Sequence, residues 1–312
     1  MGAARDVDGS GVIIILGPTG VGKTHVSILL ARSIGTEIIS ADSMQIYRHM
    51  DIGTAKPSLE ERGGVRHHMI DIVEPSESFS AGRYVEMVKP IIDELHSRGK
   101  VPIIVGGTGL YIRAMTKGLF SGPSADWGLR DELLSMDIET PGTLFDLLRR
   151  VDPDAAHRIM PGDMRRVIRA MEVYLRAEKG ISELQHSLTA PLPYRFIKIG
   201  LTKKRGELYR SIERRVEEMM THGLIGEVMR LRGMPLGKTS QQAIGYKEIA
   251  GYLEGNMSLD EAVRLIKKRS KNYAKRQLTW FRKEPDVTWL DVTGTASPVE
   301  VFSAIAIILK IE

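Results

Sequence analysis

The chain has 312 residues, 42% apolar and 27% charged, without a low-complexity tract, a size and composition that allow one large core or a core with a smaller companion. It contains no cysteine, which excludes disulfides and cysteine-ligated zinc or iron–sulfur centres and fits a reducing compartment. No apolar run reaches the roughly 18–20 residues of a membrane-spanning helix and Met1–Ser10 lacks an apolar signal core, so a cytoplasmic protein with no membrane partner is expected.

In chain order, Gly11–Leu16 (GVIIIL) is a continuous β-branched run and reads as a buried parallel strand. A glycine-rich turn, Gly17–Thr24, follows, and then an apolar helix pattern through Val26, Leu29 and Leu30. Further strands are expected at Glu37–Ser40 and Val101–Val105. Between them lies a helix over Ala81–Ser97 with Tyr84, Val88, Ile91, Ile92 and Leu95 on its inner face. Alternating strands and helices predict an α/β fold, a parallel sheet covered on both faces. From Asp126 to Leu192 there is no comparable strand. Asp152–Pro153 and Asp163 read as helix starts, the second helix carrying Met164, Val167, Ile168, Met171, Tyr174 and Leu175 on one stripe and ending near Gly180. The division is therefore a first part of the core over 1–125, a helical insertion over 126–192, and a return to the core with a basic helical region over 193–312. Arg195–Leu201 supplies the returning strand, and Ser258–Glu261 a capping box for the basic helix.

Net charge is +5 and the isoelectric point about 9.3. From Val263 to Lys283 the chain carries Arg264, Lys267, Lys268, Arg269, Lys271, Lys275, Arg276, Arg282 and Lys283 without an acid. Such a tract attracts polyanions; a solvated helix face would look the same.

The segment Gly17-Pro18-Thr19-Gly20-Val21-Gly22-Lys23-Thr24 matches the phosphate-binding loop in full, between strand and helix. Glycines let backbone N–H groups turn inward onto phosphate oxygens, the helix start adds a favourable dipole, Lys23 adds a point charge and Thr24 a hydroxyl suited to Mg²⁺. The core is thus P-loop NTPase-like, but the loop specifies only a diphosphate or triphosphate and does not say whether a nucleotide carries it. Phosphoryl-transfer enzymes with this loop hold Mg²⁺ with a strand-end Asp, whereas the Val101–Val105 strand runs into Gly106-Gly107-Thr108. The remaining strand-end acid is Asp42. From the residues alone Asp42 is either a metal ligand in a small-metabolite kinase or a general base. Adjacent His67 and His68 have no third ligand at suitable spacing, the methionines read as core fillers, and Trp280 and Phe281 read as core before base-stacking.

Seven segments in one order, Gly17–Thr24, Ser40–Tyr47 (SADSMQIY), Met50–Pro57 (MDIGTAKP), His67–Asp71 (HHMID), Gly106–Tyr111 (GGTGLY), Gly245-Tyr246 and Ala274–Arg282 (AKRQLTWFR), resemble the tRNA dimethylallyltransferase family, also called tRNA isopentenyltransferases. The resemblance implies transfer of a dimethylallyl group from dimethylallyl diphosphate to N6 of adenine 37 in tRNA, with release of diphosphate. It implies that the loop holds the donor with Mg²⁺ near Thr24, that Asp42 is the general base, and that Arg215 serves the diphosphate. For tRNA, with its anticodon stem-loop as the partner, it implies contacts from Asp42, Ser43, Met44 and Gln45, from Thr108 and Arg130, from Arg165, Arg166, Val167, Ile168 and Arg169, from Gln242 and Lys247, and from Lys271, Lys275 and Arg276. A monomer is expected. Arg165 and Arg169 are one turn apart and expected opposite the apolar stripe. Two positions depart from the family pattern, Lys271 and Ser211, where arginine is usual. A lysine replaces a point charge but not a bidentate fork.

Overall fold

The computed structural model describes residues 11–120, 122–188, 190–295 and 297–311; the Met1–Ser10 segment lies outside them. The chain divides into two compact units, one formed by residues up to Arg113 and from Pro193 onward, the other by Ala114–Leu192.

The first unit is built on six parallel strands in the order β3-β2-β4-β1-β5-β6: β1 (Gly11–Leu16), β2 (Ile38–Ala41), β3 (His67–His68), β4 (Ile103–Gly106), β5 (Arg195–Thr202) and β6 (Val287–Asp291). Every residue of β1 is buried, because the strand is central, with Ile15 opposite Val105 on one side and Ile199 on the other. That position explains its unbroken apolar run. Helices Lys23–Ser33 and Pro298–Leu309 contribute Leu30, Ile305 and Leu309 to the core under β1 and β5. Parallel neighbours all end at the same edge, so the turns after β1, β2 and β4 open together, where α/β sheets bind ligands.

The sequence periodicity locates β1, β2, β4 and β5 within one or two residues, and the Ala81–Ser97 helix at its stated limits, with Ile91 on the flank and not in the core. It misses β3, which has two residues, and β6, whose pattern is half-exposed.

The second unit is all helical over its described residues: Trp127–Glu139, Thr143–Val151, Pro153–Arg158, Met164–Ala177 and Ile181–Leu188 pack around Leu133, Leu144, Leu148, Val167, Met171 and Val173. Asp126, Asp152 and Asp163 cap their helices through the N–H groups of Leu129, Ala155 and Arg166. Buried Asp152 also accepts from Ser182 N at 3.0 Å and Ser182 Oγ at 2.5 Å, fixing the start of the next helix. The unit begins at Ala114, before the expected 126, because Leu192 N–H closes onto Met115 O at 2.8 Å. The Met164–Ala177 helix stops at Glu178 in the left-handed conformation, ahead of Gly180. Leu175, expected on the apolar stripe, is exposed, as is Met136, read as a core filler. Among the described residues no helix is long and apolar enough to cross a membrane.

At the edge where β2 and β4 begin, Glu37 is buried and accepts from Arg98 at 2.6 Å and Lys100 at 3.3 Å, with His68 Nε2 at 2.8 Å. Burial alone would raise its carboxyl; hydrogen bonds from His68, Arg98 and Lys100 outweigh that and bring it down to about 2. A depressed carboxylate stabilises above its unfolded pKa and loses that contribution as pH falls through the folded value. Glu37→Gln is therefore expected to cost about 3 kcal/mol in urea unfolding at neutral pH. The gap from wild type should close as pH falls from about 4.5 toward 2.

Candidate active site

The Gly17–Thr24 loop leaves β1 and enters the Lys23–Ser33 helix. Gly22 caps that helix at φ +102°, without a side-chain hydrogen bond, a left-handed conformation that favours glycine and leaves the first helical N–H groups to an anion. Lys23 folds back over its loop, donating to Gly17 O at 2.9 Å and Pro18 O at 2.8 Å. Thr19 is held twice: its N–H donates to Gln277 Oε1 at 2.9 Å and its Oγ1 accepts from Arg215 Nη1 at 2.9 Å. Arg215 Nη2 donates to Thr54 O at 3.3 Å.

Asp42 follows β2. Its Oδ1 accepts from Met44 N–H at 2.8 Å and Gln45 N–H at 3.4 Å, and Oδ2 has no hydrogen-bond partner among the described residues. The turn is tied to the end of β4, where Thr108 Oγ1 accepts from Ser43 N–H at 2.9 Å and Thr108 N–H donates to Ala41 O at 3.1 Å. Burial and the nearby Arg215 guanidinium push the Lys23 ammonium down to about 7, against the pull of the Asp42 carboxylate. Burial also lowers Arg215, against the same carboxylate. Burial, with Asp42's charge adding, raises the Tyr273 hydroxyl. One carboxylate, two cations and a protonated phenol thus share the mouth above the sheet.

Gln45, expected to meet the adenine, spends its amide inside the chain: Oε1 accepts from Ser40 Oγ at 3.1 Å, and Nε2 donates to Ala55 O at 3.2 Å and Thr54 O at 3.4 Å. The Met50–Pro57 strap that supplies Thr54 is clamped by Glu227. This buried carboxylate accepts from the N–H groups of Asp51, Ile52 and Gly53 at 3.0, 2.8 and 3.1 Å and from Tyr246 Oη at 2.6 Å. Glu227 escaped the sequence reading, since nothing distinguishes it from any acid in a helix's first turn. Gln277 and Tyr246 lie inside the segments Ala274–Arg282 and Gly245-Tyr246, whose sequence does not reveal their contacts.

Residues 45–284 match the IPP transferase family. The chain belongs to that family. A tRNA dimethylallyltransferase of Thermodesulfovibrio yellowstonii is 56% identical over 91% of this chain and 92% of its own length, and one of Syntrophobacter fumaroxidans is 47% identical over 91% and 84%. Among solved structures, a tRNA isopentenylpyrophosphate transferase of Bacillus halodurans aligns with a TM-score of 0.70 at 44% identity, covering 96% of this chain and 97% of its own. A eukaryotic dimethylallyltransferase acting on tRNA aligns with a TM-score of 0.79 at 30% identity, covering 96% and 80%.

In this IPP transferase the arginines of the helical unit are not equivalent. Glu172, fully buried, accepts from Arg130 Nε at 2.9 Å and Nη2 at 2.8 Å, from Arg169 Nη1, and from Asp126 N–H at 2.7 Å. Arg169 also donates to Pro123 O at 2.9 Å, so it faces the unit's own interior partner and not the open side expected for it. Val167 and Ile168, expected at the RNA, have their side chains buried in the core of the unit. Arg165 and Arg166 are exposed.

The basic tract lies on a single helix, Leu259–Phe281, with Arg282 and Lys283 just past its end; the helix is capped by Ser258 through Glu261 N–H, and Glu261's carboxylate meets Arg264 at 3.4 Å, so only the Ser258 half of the box forms as expected. Acids from neighbouring helices neutralise part of the tract: Glu217 pairs with Lys267 at 2.6 Å, Glu248 with Arg269, and Glu213 with Lys271. Lys271 also lies 5.3 Å from the Tyr209 ring centroid. Lys268, Lys275 and Arg276 are exposed and make no ion pair among the described residues. Gln242 and Lys247 are exposed and bond to each other at 2.9 Å. Phe281 is core. His67 Nδ1 lies 2.9 Å from Val65 O, and the described residues hold no cluster of three candidate metal ligands.

Because Lys23 is held near neutrality, its charge and hence its grip on an anion are present below about pH 7 and lost above it. Calorimetry with inorganic diphosphate should find the wild-type advantage over Lys23→Met shrinking as pH rises between about 6 and 8; no advantage at any pH would remove Lys23 from the anion site.

Proposed function

We propose that the chain transfers a dimethylallyl group from dimethylallyl diphosphate to N6 of an adenine in tRNA, adenine 37 by resemblance to its family. The reading is carried by one juxtaposition: a phosphate loop with two cations, Lys23 and Arg215, close enough to Asp42 for their charges to act on one another.

The loop amides of Gly20–Thr24, with Lys23 and Arg215, hold the diphosphate. As N6 attacks the allylic carbon, the C–N bond forms and the C–O bond to diphosphate breaks. The N6 proton passes to Asp42, whose Oδ1 is fixed by Met44 and Gln45 N–H groups while Oδ2 is left to accept it. Charge growing on the leaving diphosphate meets donors already in place. Thr24, a partly exposed residue at the helix start, offers a hard hydroxyl oxygen suited to Mg²⁺, which takes one or two protein oxygens and its other ligands from phosphate and water; the ion would supply further charge neutralisation at the diphosphate. For N6 to reach Asp42 the base must leave its stack, which tRNA loops permit. Arg165, Arg166, Lys268, Lys275 and Arg276 are among the exposed cations available to the phosphate backbone. We place the activity in the cytoplasm, acting as a monomer.

A small-metabolite kinase is the competing reading. Against it, the turn after β4 carries no acid and is covered by Gln277.

Incubation with dimethylallyl diphosphate, Mg²⁺ and unmodified tRNA is expected to add C5H8 to adenine, read by mass spectrometry. Asp42→Asn should lower that rate by about a hundredfold or more with tRNA binding retained. Full activity in the variant would remove Asp42 as the base.

A further inference from the structure

Gln277 joins two parts of the site that are distant in sequence. Its side chain is buried; Oε1 accepts from Thr19 N–H and Nε2 donates to Gly107 O, each at 2.9 Å. A Cβ at Gly107 would stand 2.2 Å from Gln277 Nε2 and would have to displace that amide, and at Gly109 one would stand 2.3 Å from the Trp280 ring. These glycines follow from close approach: the Leu259–Phe281 helix lies directly on the turn after β4. Phosphoryl-transfer enzymes with this loop use a strand end of that kind for a metal-binding Asp. Here an amide takes the place and reaches across to the loop itself.

We propose that Gln277 is a positioning residue for the prenyl donor, an inference that rests on the loop being the diphosphate site. By accepting the Thr19 N–H it fixes the first half of the loop and keeps the Thr19 hydroxyl aligned to receive Arg215. The guanidinium and the amides of Gly20–Thr24 then converge on one diphosphate without reorganising. One turn of the same helix therefore has two duties. Lys275 and Arg276 are exposed and free to meet the tRNA backbone on the proposed reading, while their neighbour Gln277 sets the donor loop.

Gln277→Leu removes both hydrogen bonds at similar volume and without a charge. Its affinity for inorganic diphosphate with Mg²⁺, measured by calorimetry, is expected to fall about tenfold, the order of one or two lost hydrogen bonds. Filter-binding affinity for tRNA should stay within about twofold, because the phosphate-facing cations are untouched. Gly107→Ala displaces the same amide from the other side. It should weaken diphosphate in the same direction, and combined with Gln277→Leu it should cost less than the two losses added together. It also carries the test if Gln277→Leu does not fold. Unchanged diphosphate affinity in either variant would overturn the assignment. So would equal loss of diphosphate and tRNA binding with a lowered Tm, which would mark Gln277 as general support. If the wild type itself binds no diphosphate, the reading of the loop falls first.

Discussion

One carboxylate held against two cations is the constraint around which the first unit is arranged. Burial lowers both Lys23 and Arg215, and the Arg215 charge lowers Lys23 further. Asp42 opposes both shifts, but an arrangement with two cations and one carboxylate favours the arrival of an anion. The sheet supplies the placement: β1 and β2 flank β4, so the loop after β1 and the acid after β2 open at one edge. Arg215 comes from the Arg205–Thr221 helix and is fixed by Thr19 and Thr54.

Around that cluster, polar side chains from distant parts of the chain hold backbone segments in place. Glu227 and Tyr246 set the Met50–Pro57 strap, Thr108 sets the Asp42 turn, and Gln277 sets the loop. Buried carboxylates and amides of this kind are costly unless fully hydrogen-bonded, and they give a unique geometry when they are. A reaction that moves a carbon onto a weakly nucleophilic amine needs such fixed geometry between donor and base.

What the sequence revealed followed the range of its signals. The phosphate loop, β1 and Asp42 were legible because each is a local pattern with a local cause: glycines at left-handed turns, an apolar run in a central strand, an acid at a strand end. The helix caps at Asp152 and Asp163 were legible for the same reason. Glu172, Glu227 and Gln277 were not, because most of their partners lie far along the chain and only folding brings them together. The same limit explains the charge errors. Arg169 looked like an outward arginine until Glu172, one turn away, proved to be fully buried. The acid-free basic tract meets Glu213, Glu217 and Glu248, which belong to other helices, so its exposed, unpaired charge is smaller than its composition implied.

The central claim is that the loop grips the diphosphate of a prenyl donor and not a nucleotide whose terminal phosphate is transferred. Counting products in one vessel containing dimethylallyl diphosphate, ATP, Mg²⁺ and tRNA tests it most directly. The account requires equal amounts of prenylated adenine and inorganic diphosphate, with ATP left intact. Consumption of ATP's γ-phosphate in step with product would contradict it.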